Sequence, residues 1–249
     1  MIGEERSSFR NTIVLIIGLL VFWQLMYFVV GDVAMRSPWQ TMRSTVELAR
    51  SDWFWPHVDN TMRAFAAALA IAVVLGLLIG FALGLHRLSS EAMEPMLVAL
   101  YSIPKITLYP IILLVFGLGM SAKVAFGAIH GIIPVALFTL SAVRSTKPIY
   151  VKTGRVLKLG KPAMVRSILF PAAVPEIFTG LRVGFSLTLI GTVLGEMFAS
   201  QYGLGHLLMN AIGLYNVEVI MSVTFLLVVF AATVNGILLA IDRHLHRRT

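Results

Sequence analysis

The chain has no cysteine among its 249 residues, so it forms no disulfide and performs no thiol chemistry. Charge is scarce: Asp, Glu, Lys and Arg make up 13% of the residues, about half of what a soluble domain carries. No GxxxxGK segment followed by Ser or Thr occurs, which excludes nucleotide binding by a phosphate loop within this chain. No second half repeats the first, a feature usual in gradient-driven secondary transporters. Between Arg144 and Glu176 there is no acidic residue at all.

What is present is apolar. Hydrophobic residues make up 58% of the chain and the mean hydropathy is +0.87, the composition of a protein whose solvent is the lipid bilayer. The net charge of +8 does not imply a nucleic-acid partner, because the cations sit at the ends of apolar runs and not along a polar face. Six runs, at 12–31, 61–86, 96–117, 123–143, 177–199 and 218–241, have the length of a crossing, which takes about 20 residues. The first resembles a signal peptide, but its apolar core is too long and no small-x-small cleavage site precedes Asp32, so it reads as a retained span.

The loop at 144–176 carries Arg144, Lys147, Lys152, Arg155, Lys158, Lys161 and Arg166, and so many cations between two spans place it in the cytoplasm. The N-terminus (Arg6, Arg10), the 87–95 turn (Arg87) and the C-tail (Arg243, Arg247, Arg248) then lie on the same side. That puts 13 of the 20 Lys and Arg inside, with both termini cytoplasmic. Arg36, Arg43, Arg50, Arg63 and Lys123 fall outside. The 32–60 segment, with Trp39, Trp53 and Trp55, is expected to lie at the outer interface, where indole rings prefer to sit. The organisation is thus a first span and outer segment (1–60), a transmembrane core (61–241) containing the loop 144–176, and a tail (242–249).

Glycines recur four residues apart, at Gly76, Gly80 and Gly84, at Gly127 and Gly131, at Gly180 and Gly184, and at Gly191 and Gly195. Pro104, Pro110 and Pro134 interrupt the same spans. Small residues at this spacing let helices approach closely, and prolines at membrane depth need neighbours to satisfy the carbonyls they free. This is the pattern of a packed bundle of broken helices with a solute pathway, more than of a plain anchor. In the cytoplasmic loop a short helix is expected over about 152–159, ending near Gly160 and Pro162 and seated in a groove of a soluble partner.

The loop and its surroundings resemble the permease subunits of ATP-binding-cassette importers, of the nitrate, sulfonate and taurine type. That family's loop reads Glu-Ala-Ala-x3-Gly, followed further on by Leu-Pro. Anchoring on Phe170-Pro171 and the following AAVP places Glu-Ala-Ala at Lys152, Thr153 and Gly154, with the family's glycine at Lys158 after Leu157. Arg155, Arg166, Ile168 and PAAVPEIFTGLR match, while Lys152 reverses the usual charge and Gly160 falls two residues late. IPKITLYPIILLVFGLGMSAK at 103–123 and YGLGHLLMNA at 202–211 are similar to further segments of this subfamily. The likeness runs from about residue 57 to 243.

The resemblance implies an all-α polytopic protein of six transmembrane helices, with the type I importer fold, in a bacterial inner membrane. It implies no catalytic activity, no metal and no cofactor. The partners would be two ATP-binding subunits, a second copy of the permease and an extracytoplasmic solute-binding protein. The coupling contacts would be Lys152, Thr153, Gly154, Arg155, Leu157, Lys158 and Gly160. The solute would be a small anion such as a sulfonate, taurine or nitrate; alternatives are a thiamine-precursor pyrimidine or other organic solute, or a gradient-driven transporter.

Charged and polar groups at membrane depth are costly and often functional. Ser102, Lys105, Arg182, Ser186, Thr192 and Glu196 are therefore candidates for the solute path. Each has a plainer reading: Lys105 paired within the bundle, Arg182 snorkelling to lipid phosphate, the hydroxyls serving as glue between helices. Glu196 can pair across the bundle or cap the YGLG turn. The segment 200–217 reads as an outer gate or as an interfacial helix. Ser186 with His206 faintly resembles the pair of an intramembrane serine protease, but the two lie at different depths, and His130 stands without a second metal ligand in its span.

Overall fold

The computed structural model describes residues 2–246; the side chains of residues 2–9, 148, 151, 155, 161, 199 and 246 lie outside the described set. The described residues form helices and turns, with no strand among them. In chain order the helices are α1 (Ile2–Val30), α2 (Pro38–Ala49), α3 (Trp55–Gly84), α4 (Arg87–Ser102), α5 (Tyr109–Phe116), α6 (Met120–Arg144), α7 (Pro148–Val156), α8 (Lys161–Met164), α9 (Phe170–Ala199), α10 (Leu204–Gly213) and α11 (Val217–His246). A 3-10 turn, Lys105–Leu108, joins α4 to α5, and a π-helical turn, Val165–Leu169, joins α8 to α9.

Five of these segments are long and apolar enough to cross a membrane, and a sixth if α4 and α5 together count as one span. The expected third span, 96–117, is therefore not straight. Pro104 has no amide hydrogen to continue the helix of α4, and the chain turns through 86° between α4 and the segment Lys105–Phe116. The 32–60 segment contains a regular helix, α2. α2 starts on a reciprocal cap, in which the Ser37 hydroxyl accepts from the Gln40 amide and Gln40 Oε1 accepts from the Ser37 amide. Trp55 opens α3 instead of lying in the interface segment.

The chain parts into two compact units, residues 1–56 with 207–229 and residues 57–206 with 230–249. In the first, Trp23 donates its indole hydrogen to the Arg36 carbonyl at 3.0 Å and its ring lies 6.2 Å from that of Phe225. The apolar run of α1 is otherwise exposed along most of its length, as a lipid-facing helix would be.

The second unit is built on α6, held between α3 and α9. Three glycines of α3 receive three side chains of α6 in matching register: a Cβ on Gly76 would come within 2.6 Å of Val135 Cβ, one on Gly80 would overlap Thr139, and one on Gly84 would come within 2.9 Å of Val143 Cβ. On the other face, Gly127 and Gly131 of α6 give room to Thr192 and Thr188 of α9, while Gly180, Gly184 and Gly191 of α9 admit Phe138, Val135 and His130. The two i, i+4 series thus interlock, and a close backbone approach replaces the large side chains that fill a soluble core. α6 and α9 run antiparallel, so the start of α6 and the end of α9 lie at one end of the unit, and the 144–176 loop lies at the other.

Candidate functional site

At the loop end, the helix expected over 152–159 is α7, shifted toward its N-terminus because Pro148 supplies a preformed first turn. It stops at Val156. Lys158 adopts a left-handed backbone, φ 53°, and the Leu159 amide reaches back to the Gly154 carbonyl at 3.0 Å, which is the closing bond of a left-handed helix C-terminus. Gly154 is buried, and any Cβ there would press to 2.6 Å on the Met164 thioether and to 2.7 Å on Ile168 Cδ1. A Cβ on Gly160 would meet Pro162 Cδ at 4.0 Å, an ordinary contact, and the Gly160 carbonyl accepts from the amide of Met164, the last residue of α8.

The side chains of Lys152, Thr153, Val156, Leu157 and Lys158 are exposed. Thr153 bonds the Ile149 carbonyl at 2.9 Å, and Lys152 lines a 590 Å³ cavity together with Arg87, Glu91 and Arg144. Val156 and Leu157 are 80% and 65% exposed, an apolar pair at the tip of a basic helix. The Arg155 side chain lies outside the described residues. Beside α7, Arg144 at the end of α6 is ion-paired with Glu94 of α4, while Glu176 of α9 accepts from Ser141 and Ser145 of α6 at 2.9 and 3.0 Å.

At the opposite end lies a cluster of buried charge. Lys123, in the first turn of α6, and Glu196, in the last turn of α9, are 2% and 0% exposed and 3.3 Å apart. Lys123 Nζ also donates to Asn60 Oδ1, to Ser200 Oγ at 3.2 Å and to the Tyr202 carbonyl at 3.1 Å. The second Glu196 oxygen accepts from the Thr61 hydroxyl at 2.8 Å and from the Gly205 amide at 3.1 Å, and Thr61 Oγ1 in turn accepts from the Leu204 amide at 2.8 Å. His57 Nδ1 is 3.2 Å from both the amide nitrogen and the carbonyl oxygen of Gly203, and its ring stacks on that of His206 at 6.1 Å.

The YGLG glycines make this closure possible. Gly203 has φ +126° and sits directly on the Glu196 carboxylate, and a Cβ on Gly205 would come within 2.8 Å of Glu196 Cβ. Glu196 therefore both pairs across the bundle and anchors the YGLG turn. Asn60, Lys123, Ser200, Gln201 and Tyr202 line a 470 Å³ cavity at this end.

The other expected path residues are dispersed. Lys105 is buried, donates to the Tyr101 carbonyl at 3.0 Å and lies 5.3 Å from the centre of the Tyr101 ring, so its ammonium covers a carbonyl freed at the break after α4. Ser102 is exposed and bonds the Val98 carbonyl at 3.0 Å. Arg182 faces Asp242 of α11 at 3.6 Å, and Asp242 also accepts from Thr179 at 3.0 Å. Ser186 turns back to the Arg182 carbonyl at 3.4 Å, and Thr192 is fully buried, bonded to the Thr188 carbonyl at 2.9 Å. His206 stacks on His57, ten residues beyond the Glu196 end of α9 from where Ser186 sits midway along that helix.

Lys123, Asn60 and Thr61 were not singled out by composition or spacing. The readable signal was depth: Lys123 and Glu196 are charges at the same end of two antiparallel apolar runs, and at equal depth each needs a counter-charge.

Residues 72–249 match the family described as the binding-protein-dependent transport system inner membrane component. The formylaminopyrimidine transport permease protein ThiX of Halalkalibacterium halodurans is 30% identical over 189 residues, which is 76% of this chain and 75% of that protein. The nitrate import permease protein NrtB of Synechocystis is 29% identical over 223 residues, 84% of this chain and 78% of that one. Among solved structures, the MetNI methionine ABC transporter in an inward-facing conformation superposes with a TM-score of 0.67 at 20% identity, covering 76% of this chain and 94% of the other, a likeness of fold. A helical bundle with several membrane-crossing segments, a left-handed stop at the loop position where the importer pattern has glycine, and a family match over most of the chain converge: this protein belongs to the inner-membrane permease components of binding-protein-dependent ABC importers.

Proposed function

We propose that the chain is one of two permease subunits, most simply two copies of itself, that assemble with two ATP-binding subunits and receive solute from an extracytoplasmic binding protein. The basic loop 144–176 and both termini face the cytoplasm, where 13 of the 20 Lys and Arg then lie. ATP-driven closure of the ATPase pair draws the two copies of α7 together and turns the bundle from inward-open to outward-open. The observation that carries this reading is the tip of α7, where Val156 and Leu157 stand 80% and 65% exposed among cations. An apolar pair held out from a charged helix suits a groove in a soluble partner, and Lys152 in the place of an acid suits a groove with a carboxylate at that point. Lys152, Thr153, Arg155, Leu157, Lys158 and Gly160 form the coupling surface, with Gly154 setting how closely α7 lies on the π-helical turn.

The solute is a small anion of the nitrate, sulfonate or taurine kind, passing Ser102, Lys105, Arg182, Ser186, Thr192 and Glu196 in states of the transporter that open the bundle. Import of a pyrimidine precursor is the second reading, supported by the 30% identity to the formylaminopyrimidine permease. Competition of each compound class against uptake in proteoliposomes separates the two.

Leu157→Asp tests the coupling. The side chain is mostly exposed in the subunit, so insertion and melting temperature should stay at wild-type values. In a docked groove the new carboxylate would be buried without a partner, costing about 2 kcal/mol or more. Uptake and binding-protein-stimulated ATP hydrolysis should both fall by about tenfold or more. Wild-type co-purification of the ATPase with wild-type turnover would remove the docking role.

A further inference from the structure

We infer that the Lys123–Glu196 pair is the latch of the outer gate, the fixed point to which the 200–205 loop is hydrogen-bonded and from which outward opening must pull it. The inference rests on the importer reading above. Four stretches of chain meet on these two side chains: the first turns of α3 through Asn60 and Thr61, the first turn of α6 through Lys123, the last turn of α9 through Glu196, and the loop through Ser200, Tyr202 and Gly205. Pulling the loop away disconnects both charges at once, since Lys123 loses Ser200 and Tyr202 while Glu196 loses Gly205.

The pair is also poised. Both charges are almost wholly withdrawn from solvent, yet Lys123 borders the 470 Å³ cavity whose rim is Gln201, Tyr202 and Leu118. A buried pair stripped of its loop partners without hydration is left with unmet hydrogen-bonding groups, which is unfavourable. Once the loop lifts, water entering from that cavity solvates both groups. The closed and open arrangements are thus each satisfied, and the half-open one is not, which is the condition for a two-state gate. The ammonium has three hydrogens for four acceptors, Asn60, Glu196, Ser200 and Tyr202, so one acceptor is always in excess and can leave first.

Leu204, 5% exposed and bonded through its amide to Thr61, reports on the loop. The chain has no cysteine, so Leu204→Cys is the one thiol in each permease subunit. The assembled transporter carrying it, in lipid nanodiscs, is exposed to a membrane-impermeant maleimide at rest and in the nucleotide-trapped state, and basal ATP hydrolysis is measured without binding protein. Glu196→Gln, Lys123→Met and the milder Asn60→Ala are compared in this background. Each is expected to raise resting labelling by about fivefold or more, toward the rate of the trapped parent, and to raise basal hydrolysis with it, because a population shift at one end is felt at the other. Resting labelling and hydrolysis at parental values in the variants that assemble would overturn the latch, as would failure of all three to assemble, which would make the pair a packing element. Absence of ATP-driven uptake by the parent in proteoliposomes would instead count against the importer reading itself.

Discussion

Lys158 holds a left-handed backbone, φ 53°, at the position where the importer loop pattern has glycine. For a residue with a Cβ this conformation costs about 1 kcal/mol, and the closing bond from Leu159 to Gly154 shows that the geometry is kept nonetheless. Lys158→Gly should therefore stabilise the subunit by up to about 1 kcal/mol, read as a higher melting temperature in detergent. A lower one would mean that the ammonium makes a contact worth more than the strain it causes. Anchoring on Phe170-Pro171 puts the pattern's glycine at Lys158, and a glycine would take the left-handed backbone found there without strain. The partner of Lys123 was less legible: the two charges lie 73 residues apart, and only the antiparallel run of α6 and α9 brings them to one depth. Lys105 shows the opposite case, a conspicuous charge at membrane depth whose ammonium here serves the nearby carbonyl of Tyr101.

The helices were easiest to read where the sequence repeats every four residues. Gly76, Gly80 and Gly84 signal a close approach, and the structure supplies its other half in Val135, Thr139 and Val143. Gly80→Val should prise α3 from α6, since its Cβ would already overlap Thr139 and press on the Ala136 carbonyl at 2.7 Å. A loss of about 2–3 kcal/mol is expected, measured by thermal denaturation of the purified subunit. Gly236→Ala in α11 is the matched control, with open space at the new methyl, and should be neutral or slightly stabilising. Equal losses in both would mean that glycine is needed for helix flexibility and not for packing. The break after α4 was not legible, because the apolar sum over 96–117 is the same for a straight and for a bent segment. Pro104 was visible, but proline inside a membrane helix often only kinks it, and an 86° turn depends on neighbours that accept the freed groups.

In the unit built on α6, the two functional ends share the same two helices. α6 carries Lys123 in its first turn and ends at Arg144 beside the 144–176 loop, while α9 begins beside that loop and carries Glu196 in its last turn. Their interface is a row of glycines against threonines and valines, so the two backbones approach closely along its length. That arrangement could not be read from the sequence, which shows each small residue but not its opposite number. The sharp turn after α4 bears on how the protein is made. α4 has 16 residues and α5 has eight, so they extend about 24 Å and about 12 Å, each short of the roughly 30 Å of hydrocarbon. Between the end of α3 and Gly119, the nascent chain offers the insertion machinery no further straight segment able to leave into lipid alone. α6, which follows at once with 25 residues, is the first that can hold the bent pair in place. A nascent chain ending at Gly119 should thus leave its C-terminal tag on the cytoplasmic side or in exchange, whereas one ending at Arg144 should fix residues 117–119 outside, as read by glycosylation of a site placed there. Full glycosylation of the shorter chain would mean that the third segment crosses unaided and bends only afterwards, as α6 folds against it.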